Sequence, residues 1–557
     1  VDPISTKRVE GNDFSHLERQ SWTIFAVCDD SFDFAAYAPI FQSGIEGHGG
    51  RGMDWQFSGR LGRLRQFVLA WCFSLALFSA GCSLTSPHEW IRNGFKVGPN
   101  YAEPAAPAGS EWIQAGDSRI EGPPPRDGKW WDVFQDPVLS SLIVRAYQQN
   151  LNLQAIGTRV LQARAQQAIS VGNLFPQSQR ITGMYDYGKV ANEATHINLT
   201  AFNLSWELDF WGKYRRQVES AKARTDVSEE SYNDALVTLL ADVATNYVQF
   251  RIAQQRLKIA QENLKTQAEL VAIADQQLKV GTVNSVDVNQ LRALMRQTSS
   301  TIPALRISLG QANDRLCILL GDPPRTLDSE LGPGPEIANG PMPLTPVDVS
   351  AGVPSDLLLR RPDVRGAERE VAAQMPQIGV AEAQLLPSVS IGAMLGYSNF
   401  DLGPQLSTRG PLAFIMPQFS WNILNYGRLA NYVKLQDAKT KELVYTYQQK
   451  VLTAAQEVQS SLRGFLLSQD QADELSGSAS AAAAAAKVQE KIFRDLKSDV
   501  NRLSTLENSR LQAQDQLVVA QGNIALNLIN VYRALGGGWE ILRAENENCA
   551  KPIHKQK

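Results

Sequence analysis

Three features of this 557-residue chain point to a mixed α+β membrane protein made of two internal repeats. The first is a change of period at Ser205-Trp206-Glu207-Leu208-Asp209-Phe210-Trp211-Gly212-Lys213. Before it, apolar residues alternate as in a strand: Ile197, Leu199 and Ala201, then Phe202, Leu204 and Trp206 after a phase slip. After it, residues 213–280 contain neither Pro nor Gly, so period two gives way to about 3.6. The second feature is recurrence. Ser205, Trp206 and Gly212 reappear 215 positions on as Ser420, Trp421 and Gly427; Lys213 becomes Arg428, and Leu320-Gly321 becomes Leu535-Gly536. A junction written twice is the mark of an internal duplication. The third is an export leader at the front of the chain.

Residues 1–52 have mixed composition and no period, and read as an upstream mis-start. Met53 is followed by Arg60, Arg63 and Arg65, then by an apolar run over 67–80. These are the n- and h-regions of a secretory signal spanning 53–81. The run falls short of the ~20 residues of a transmembrane helix. It ends in Ser79-Ala80-Gly81-Cys82, which resembles a bacterial lipoprotein signal, in which the Cys becomes the lipidated first residue. Ser79 stands where that pattern usually has Leu or Val. Ser83, in place of Asp, points to the outer membrane under the sorting rule of such proteins. The alternative is an ordinary signal with an accidental Cys. Elsewhere composition mostly excludes. A net charge of −3 offers no basic field for nucleic acid. Five Cys and five His lie scattered without zinc-like spacing or a disulfide framework. No phosphate loop, based nucleophile or metal cluster is present. An enzyme is not expected, nor a cofactor beyond covalent lipid on Cys82.

Residues 82–136 form a lipid-anchored extended tether, rich in Pro, Ala and Gly over 86–122. It carries Lys96-Val97-Gly98-Pro99-Asn100-Tyr101-Ala102-Glu103-Pro104, then Trp130-Trp131, Phe134 and Asp136-Pro137. Repeat one covers 137–320. Asp136 can cap a helix that has Pro137 in its first turn and runs through Leu142 to about Ser170. Pro176 ends it. Ile181, Gly183, Tyr185 and Tyr187 alternate as a strand, a polar loop crosses 189–195, and the return strand leads to Gly212. The following 68-residue helix would span ~100 Å, so it belongs to a coiled coil or a wall of parallel helices. A heptad from Leu236 through Leu240, Val243, Tyr247, Phe250, Gln254, Leu257, Gln261, Leu264, Ala268, Val271 and Asp275 to Leu278 is apolar at ten of thirteen places. Gly281 is its left-handed C-cap. Asn284 or Ser285 starts a helix back to Leu320, interrupted by Pro303. Residues 321–354, with eight prolines, are a linker. Repeat two covers 355–540. Pro387 ends its first helix; Val389, Ile391, Ala393, Leu395 and Tyr397 alternate; Leu412, Phe414 and Met416 supply the return strand. Helical sequence resumes at Arg428, with plain helix propensity explaining the Ala run over 481–486. Residues 541–557 are a tail.

Each repeat thus carries one hairpin of strands of about ten residues, long enough to cross a bilayer when tilted. Four strands cannot close, and open sheet edges are forbidden in lipid. Three chains would supply twelve strands, with the long helices continuing as a tube. Together, 96–104, 130–137, 205–213, 353–363, Trp421 with Gly427-Arg428, and 534–539 resemble the TolC superfamily of outer-membrane efflux proteins, and most of all its lipid-anchored OprM/NodT-type branch. The likeness spans about 82–540. It implies a homotrimer with a shared twelve-stranded transmembrane β-barrel and a long periplasmic α-helical barrel. It also implies a periplasmic membrane-fusion adaptor and an inner-membrane pump, of RND or ABC type. The chain would be the outer-membrane exit duct of a tripartite system, passing drugs or other toxic small molecules. A type I protein-secretion duct shares the fold. A structural coiled-coil lipoprotein would have no use for the hairpins.

The resemblance marks Val280, Gly281, Thr282 and Val283 as an adaptor-docking tip, with Leu496 at the matching place in repeat two. Asp287 reads either as a residue of the periplasmic mouth or as part of a solvated face; its counterpart is Arg502. Pro176, Trp206, Gly212, Pro387, Trp421 and Gly427 mark the junction of barrel and helices. Trp130, Trp131, Trp206 and Trp421 suit either an interfacial aromatic belt or packing at that junction. Arg360-Arg361-Pro362-Asp363 reads as a structural ion pair at a helix start.

Overall fold

The computed structural model describes residues 85–540 apart from 108, 110, 122–127, 191–192, 332–341, 351, 353–359, 402–406 and 496–498. Cys82, the leader, Leu496, part of the linker and the tail lie outside the described residues. After a short helix α1 (Pro87–Arg92), the first half consists of α2 (Pro137–Gln149), α3 (Leu151–Gly172), β1 (Ser178–Val190), β2 (Glu193–Leu208), α4 (Lys213–Lys279) and α5 (Ser285–Leu319). The second consists of α6 (Pro362–Ala383), β3 (Ser388–Asp401), β4 (Ser407–Ser420), α7 (Arg428–Arg494) and α8 (Val500–Ala534). The halves agree to the residue in their helices: α3 and α6 have 22 each, α4 and α7 have 67, α5 and α8 have 35.

The long helices α4 and α7 are bridged by α8 over the half remote from the sheet and by α6 over the half near it, while α5 and α3 pack on α4 in the same two halves. Short helices stack end to end. The one helix expected over 142–170 is divided at Asn150, which leaves the helical region, accepts from Leu153 N at 2.8 Å and donates to Leu319 O, at the end of α5, at 2.9 Å. One amide side chain thereby closes two helix ends. In the second half Arg361 does this work, donating to Ala534 O at 2.7 Å while pairing with Asp363 and Glu457. Arg360 pairs with Glu540. Trp130 and Trp131 are neither a belt nor at the barrel junction. They are 3% and 2% exposed in the main helical core, with Trp130 stacked on Tyr532 at 5.5 Å.

Pro303 does not interrupt α5. It lies on an exposed stretch, where water can take up the carbonyl its missing N–H leaves free. The heptad of α4 is buried from Leu236 to Leu257, but the buried set then continues as Ala260, Asn263, Gln267, Leu270, Val271, Ala274 and Gln277, of which only Val271 is a heptad position. An extra three-residue step at 257–260–263 shifts the seam, leaving Ala268 and Leu278 exposed. Gln254 is a partner of buried Arg251, and Asp275 pairs with Arg292 of α5.

The four strands form one antiparallel sheet in the order β1-β2-β3-β4. They are longer than expected, at 13, 16, 14 and 14 residues. The phase slip in β2 is not a bulge, because its register with β1 and β3 runs unbroken. Instead the strand serves two faces. Ile181, Phe202, Leu395 and Ala413 lie in one row across the sheet, beside Leu204, Ala393 and Ile415 and, next to those, Trp206, Ile391 and Pro417. The opposite face carries Arg180, Asn203, Met394 and Phe414, then Thr182, Ala201, Gly396 and Leu412, with Ser390 and Gln418 nearer the helices. In these rows near the helices the first face is apolar but for Gln179, and the other mixes polar and small residues; farther along, the first face carries Thr200, Asn198, Asn399, Arg409, His196 and Asp401. The outer edges of β1 and β4 have no strand partner among the described residues.

Candidate functional site

The junction of sheet and helices is built alike in both halves. Trp206 Nε1 donates to Leu174 O at 3.3 Å, and Trp421 Nε1 donates to Leu385 O at 2.9 Å. Each accepting carbonyl lies two residues before the proline, Pro176 or Pro387, that delivers the chain into a strand. The indole thus pins the end of the incoming helix to the end of the outgoing strand. Gly212 and Gly427, at φ 79° and 78°, turn the chain into α4 and α7.

The first junction carries more. Asp209 accepts from Tyr214 N, Arg215 N and Arg215 Nε at 2.9–3.0 Å, so it caps α4 where Gly212 has no side chain to do so. Trp211 Nε1 donates to Pro387 O at 2.7 Å and so ties repeat one to repeat two. The segment from Thr85 to Tyr101 crosses this junction. Trp90 packs on Phe210 and Trp211, and a Cβ at Gly212 would fall 2.5 Å from Lys96 Cγ. Arg216 is 1% exposed, with Nε on Val97 O at 3.0 Å, Nη2 on Gly98 O at 2.7 Å and Nη1 on Glu219 at 2.8 Å. Gly98 meets Gly379 of α6 so closely that a Cβ at Gly98 would lie 2.4 Å from Gly379 Cα. Beside them Glu382 accepts from Thr85 Oγ1 at 2.7 Å; burial pushes its carboxyl above the ordinary range, against the pull of that hydrogen bond. Sequence reasoning singled out Gly212 but missed Asp209, Trp211, Arg216 and Gly379. Only the pairing of an N-terminal Val-Gly with a distant helix could have shown them, and no local pattern encodes that.

The remote end of the helices holds the expected tip. Val280 ends α4, Gly281 has φ 76°, its N–H bonds Leu278 O at 3.1 Å, and Thr282 N bonds Gln277 O at 3.0 Å. This is the two-bond Schellman closure. Val283 packs against the buried cluster that includes Leu270, Ala274, Val288 and Leu291. Asp287 is engaged: its Oδ2 accepts from Asn284 N at 3.1 Å while Asn284 Oδ1 accepts from Asp287 N at 2.9 Å, a reciprocal cap on α5. Gln277 Nε2 donates to Phe493 O at 3.1 Å, linking this tip to that of repeat two. Leu496 falls in the adjoining stretch outside the described residues, while Asp499 caps α8 through Asn501 N at 2.9 Å. Arg502 is exposed.

A sheet that runs directly into helices of this length, twice over, has close counterparts. The family model described as outer membrane efflux protein matches residues 142–322 and again 353–537. This chain belongs to the outer membrane efflux protein family. Nodulation protein T of Rhizobium leguminosarum bv. viciae is 30% identical over 66% of this chain and 74% of that protein. The cation efflux system protein CusC of Escherichia coli K12 is 27% identical over 85% of this chain and 99% of that one. The Salmonella typhimurium protein named Probable outer membrane lipoprotein SilC is 28% identical over 85% and 97%. Among solved structures, the outer-membrane channel OprN superposes with a TM-score of 0.73 at 28% identity, covering 80% of this chain and 99% of that one. CusC follows at 0.68 and 25%, covering 79% and 99%. The efflux protein described here is therefore a member of the TolC superfamily located in the outer membrane, and its family is one of transport channels.

Proposed function

We propose that this efflux protein is the exit duct of a tripartite system, working as a homotrimer with one shared twelve-stranded barrel. The observation that carries the reading is the four-stranded sheet whose outer edges find no strand within the described chain. Exposed in hydrocarbon, each edge would leave a row of backbone groups without hydrogen bonds, at several kcal/mol apiece. Edge-to-edge closure with two further copies removes the cost and gives a barrel. The face that is apolar near the helices then meets lipid there, and the face with Asn203, Gly396 and Gln418 lines the lumen. The helix wall continues the tube into the periplasm for ~100 Å. Cys82 carries the lipid anchor, and the Gly281 tip, with its counterpart at Leu496, meets a periplasmic adaptor served by an inner-membrane pump. Relatives named for cation efflux and pyoverdine export support small solutes as cargo. Native mass measurement in detergent should give three chains, and the same material should conduct in a planar bilayer. A stable monomer that conducts would defeat the proposal.

A further inference from the structure

The two junctions differ in what covers them. In repeat one the ring of Trp211 sits against the start of β3, with its Nε1 on Pro387 O, and Leu386 and Pro387 are only partly exposed. The residue 215 positions after Trp211 is Tyr426, and it is 98% exposed. Leu424 and Ile423 beside it are 80% and 67% exposed. Tyr426 is held at φ 53°, directly before Gly427 at φ 78°, so the backbone keeps an unfavourable conformation that displays the ring. At the opposite end of the four-stranded sheet, the corner matching Leu386-Pro387 is Phe175-Pro176, and there Phe175 is 63% exposed. The chain therefore owns one filled contact between repeats and the two separated halves of a second. The halves lie next to its two unpaired strand edges, Phe175-Pro176 before β1 and Tyr426 after β4.

We infer that Tyr426 packs on the Phe175-Pro176 corner of a second copy of this chain, as Trp211 meets the Pro387 carbonyl within one chain. The contact is head-to-tail, so it closes a ring when each copy repeats it. The internal junction supplies the template. Ile423 and Leu424 would be covered at the same time, which matters because an apolar patch left at the foot of a barrel invites non-specific association. This inference rests on the trimer proposed above.

The test uses full-length protein in detergent with Phe175→Cys and Tyr426→Cys combined, treated with a short bis-maleimide and run under denaturing conditions. Native mass of the same double variant is measured first. We expect a trimeric mass, and covalent dimers and trimers in the double variant that both single variants lack. A trimeric mass with no ladder above the single variants overturns the Tyr426 contact and leaves the trimer standing. A trimer in which the thiol at 426 is instead labelled by a maleimide lipid in vesicles also overturns it, assigning the patch to the bilayer. A monomeric mass in both the double variant and the parent overturns the trimer itself.

Discussion

Residue 507 shows how one substitution changes the physics of a repeated position. In repeat one Asp275 and Arg292 form an ion pair between α4 and α5, at 2.7 Å. Adding 215 to each number gives Glu490 and Glu507, two carboxylates. Glu490 is held by Arg494 at 2.7 Å. Glu507 is fully buried, and the Arg510 guanidinium 2.8 Å away makes no aligned hydrogen bond to it. Burial raises its pKa, Glu490 adds to the rise, and Arg510 opposes it. The folded-state pKa lies above the unfolded one, so the proton favours the fold. That contribution is complete below the usual carboxylate range and is lost as pH rises through the raised value. Glu507→Gln should therefore raise Tm at pH 8, with the two proteins converging toward pH 4; a benefit that grew on acidification would contradict this account. Gly281 makes a second test at this scale. A Cβ there would meet nothing within 4 Å, so the cost of Gly281→Val comes from φ 76° alone, about 1–3 kcal/mol of local strain. Efflux, read as drug susceptibility with the cognate pump, should fall while trimer level stays unchanged. Gly281 was legible in the sequence because a helix without Pro or Gly stopped there. Nothing in the sequence told that Asp287, six residues on, caps its own helix, since a capping carboxylate and a mouth carboxylate are spelled alike.

At the scale of elements, periods and breakers were readable and long-range closures were not. The starts of α4 and α7 were marked by Gly212 and Gly427, and both hairpins by their alternation. The division at Asn150 was hidden because its reason lies in the end of α5, well over a hundred residues away. The seam of α4 left its heptad because three residues in excess look like ordinary helix until the neighbouring helix is known. The two faces of β2 were mistaken for a slip because an alternation that changes sides resembles an inserted residue. The cap of α4 offers a clean measurement. Asp209→Ala removes the acceptor for two amides of the first turn and for Arg215, and should cost about 1 kcal/mol or more, read as a lower Tm. Leu424 occupies the corresponding position in repeat two, so Leu424→Ala should leave the start of α7 unchanged in hydrogen-exchange protection while Asp209→Ala loosens α4. Equal protection in both variants would show that Asp209 caps nothing of consequence.

For the whole molecule, anchoring and insertion should be separable. A multiply acylated Cys82 holds a membrane strongly, at ~0.8 kcal/mol per buried methylene, yet the strands would cross the bilayer without it. Cys82→Ser should abolish labelling by a fatty-acid analogue while barrel material remains in the outer-membrane fraction; equal labelling of the variant would refute the anchor. The matched helices, 67 with 67 and 35 with 35, carry a different consequence. They act as a ruler. Each residue in α4 sets ~1.5 Å of reach and ~100° of rotation, so one residue added to one repeat would carry its tip out of line with the other and turn its buried face toward water. Only a change made in both long helices, and answered in both returning ones, keeps the two tips level. Seven residues would be the smallest convenient step, about 10 Å with the faces nearly restored. The reach of its helices is thus written twice in its residue count and can be altered only in duplicate.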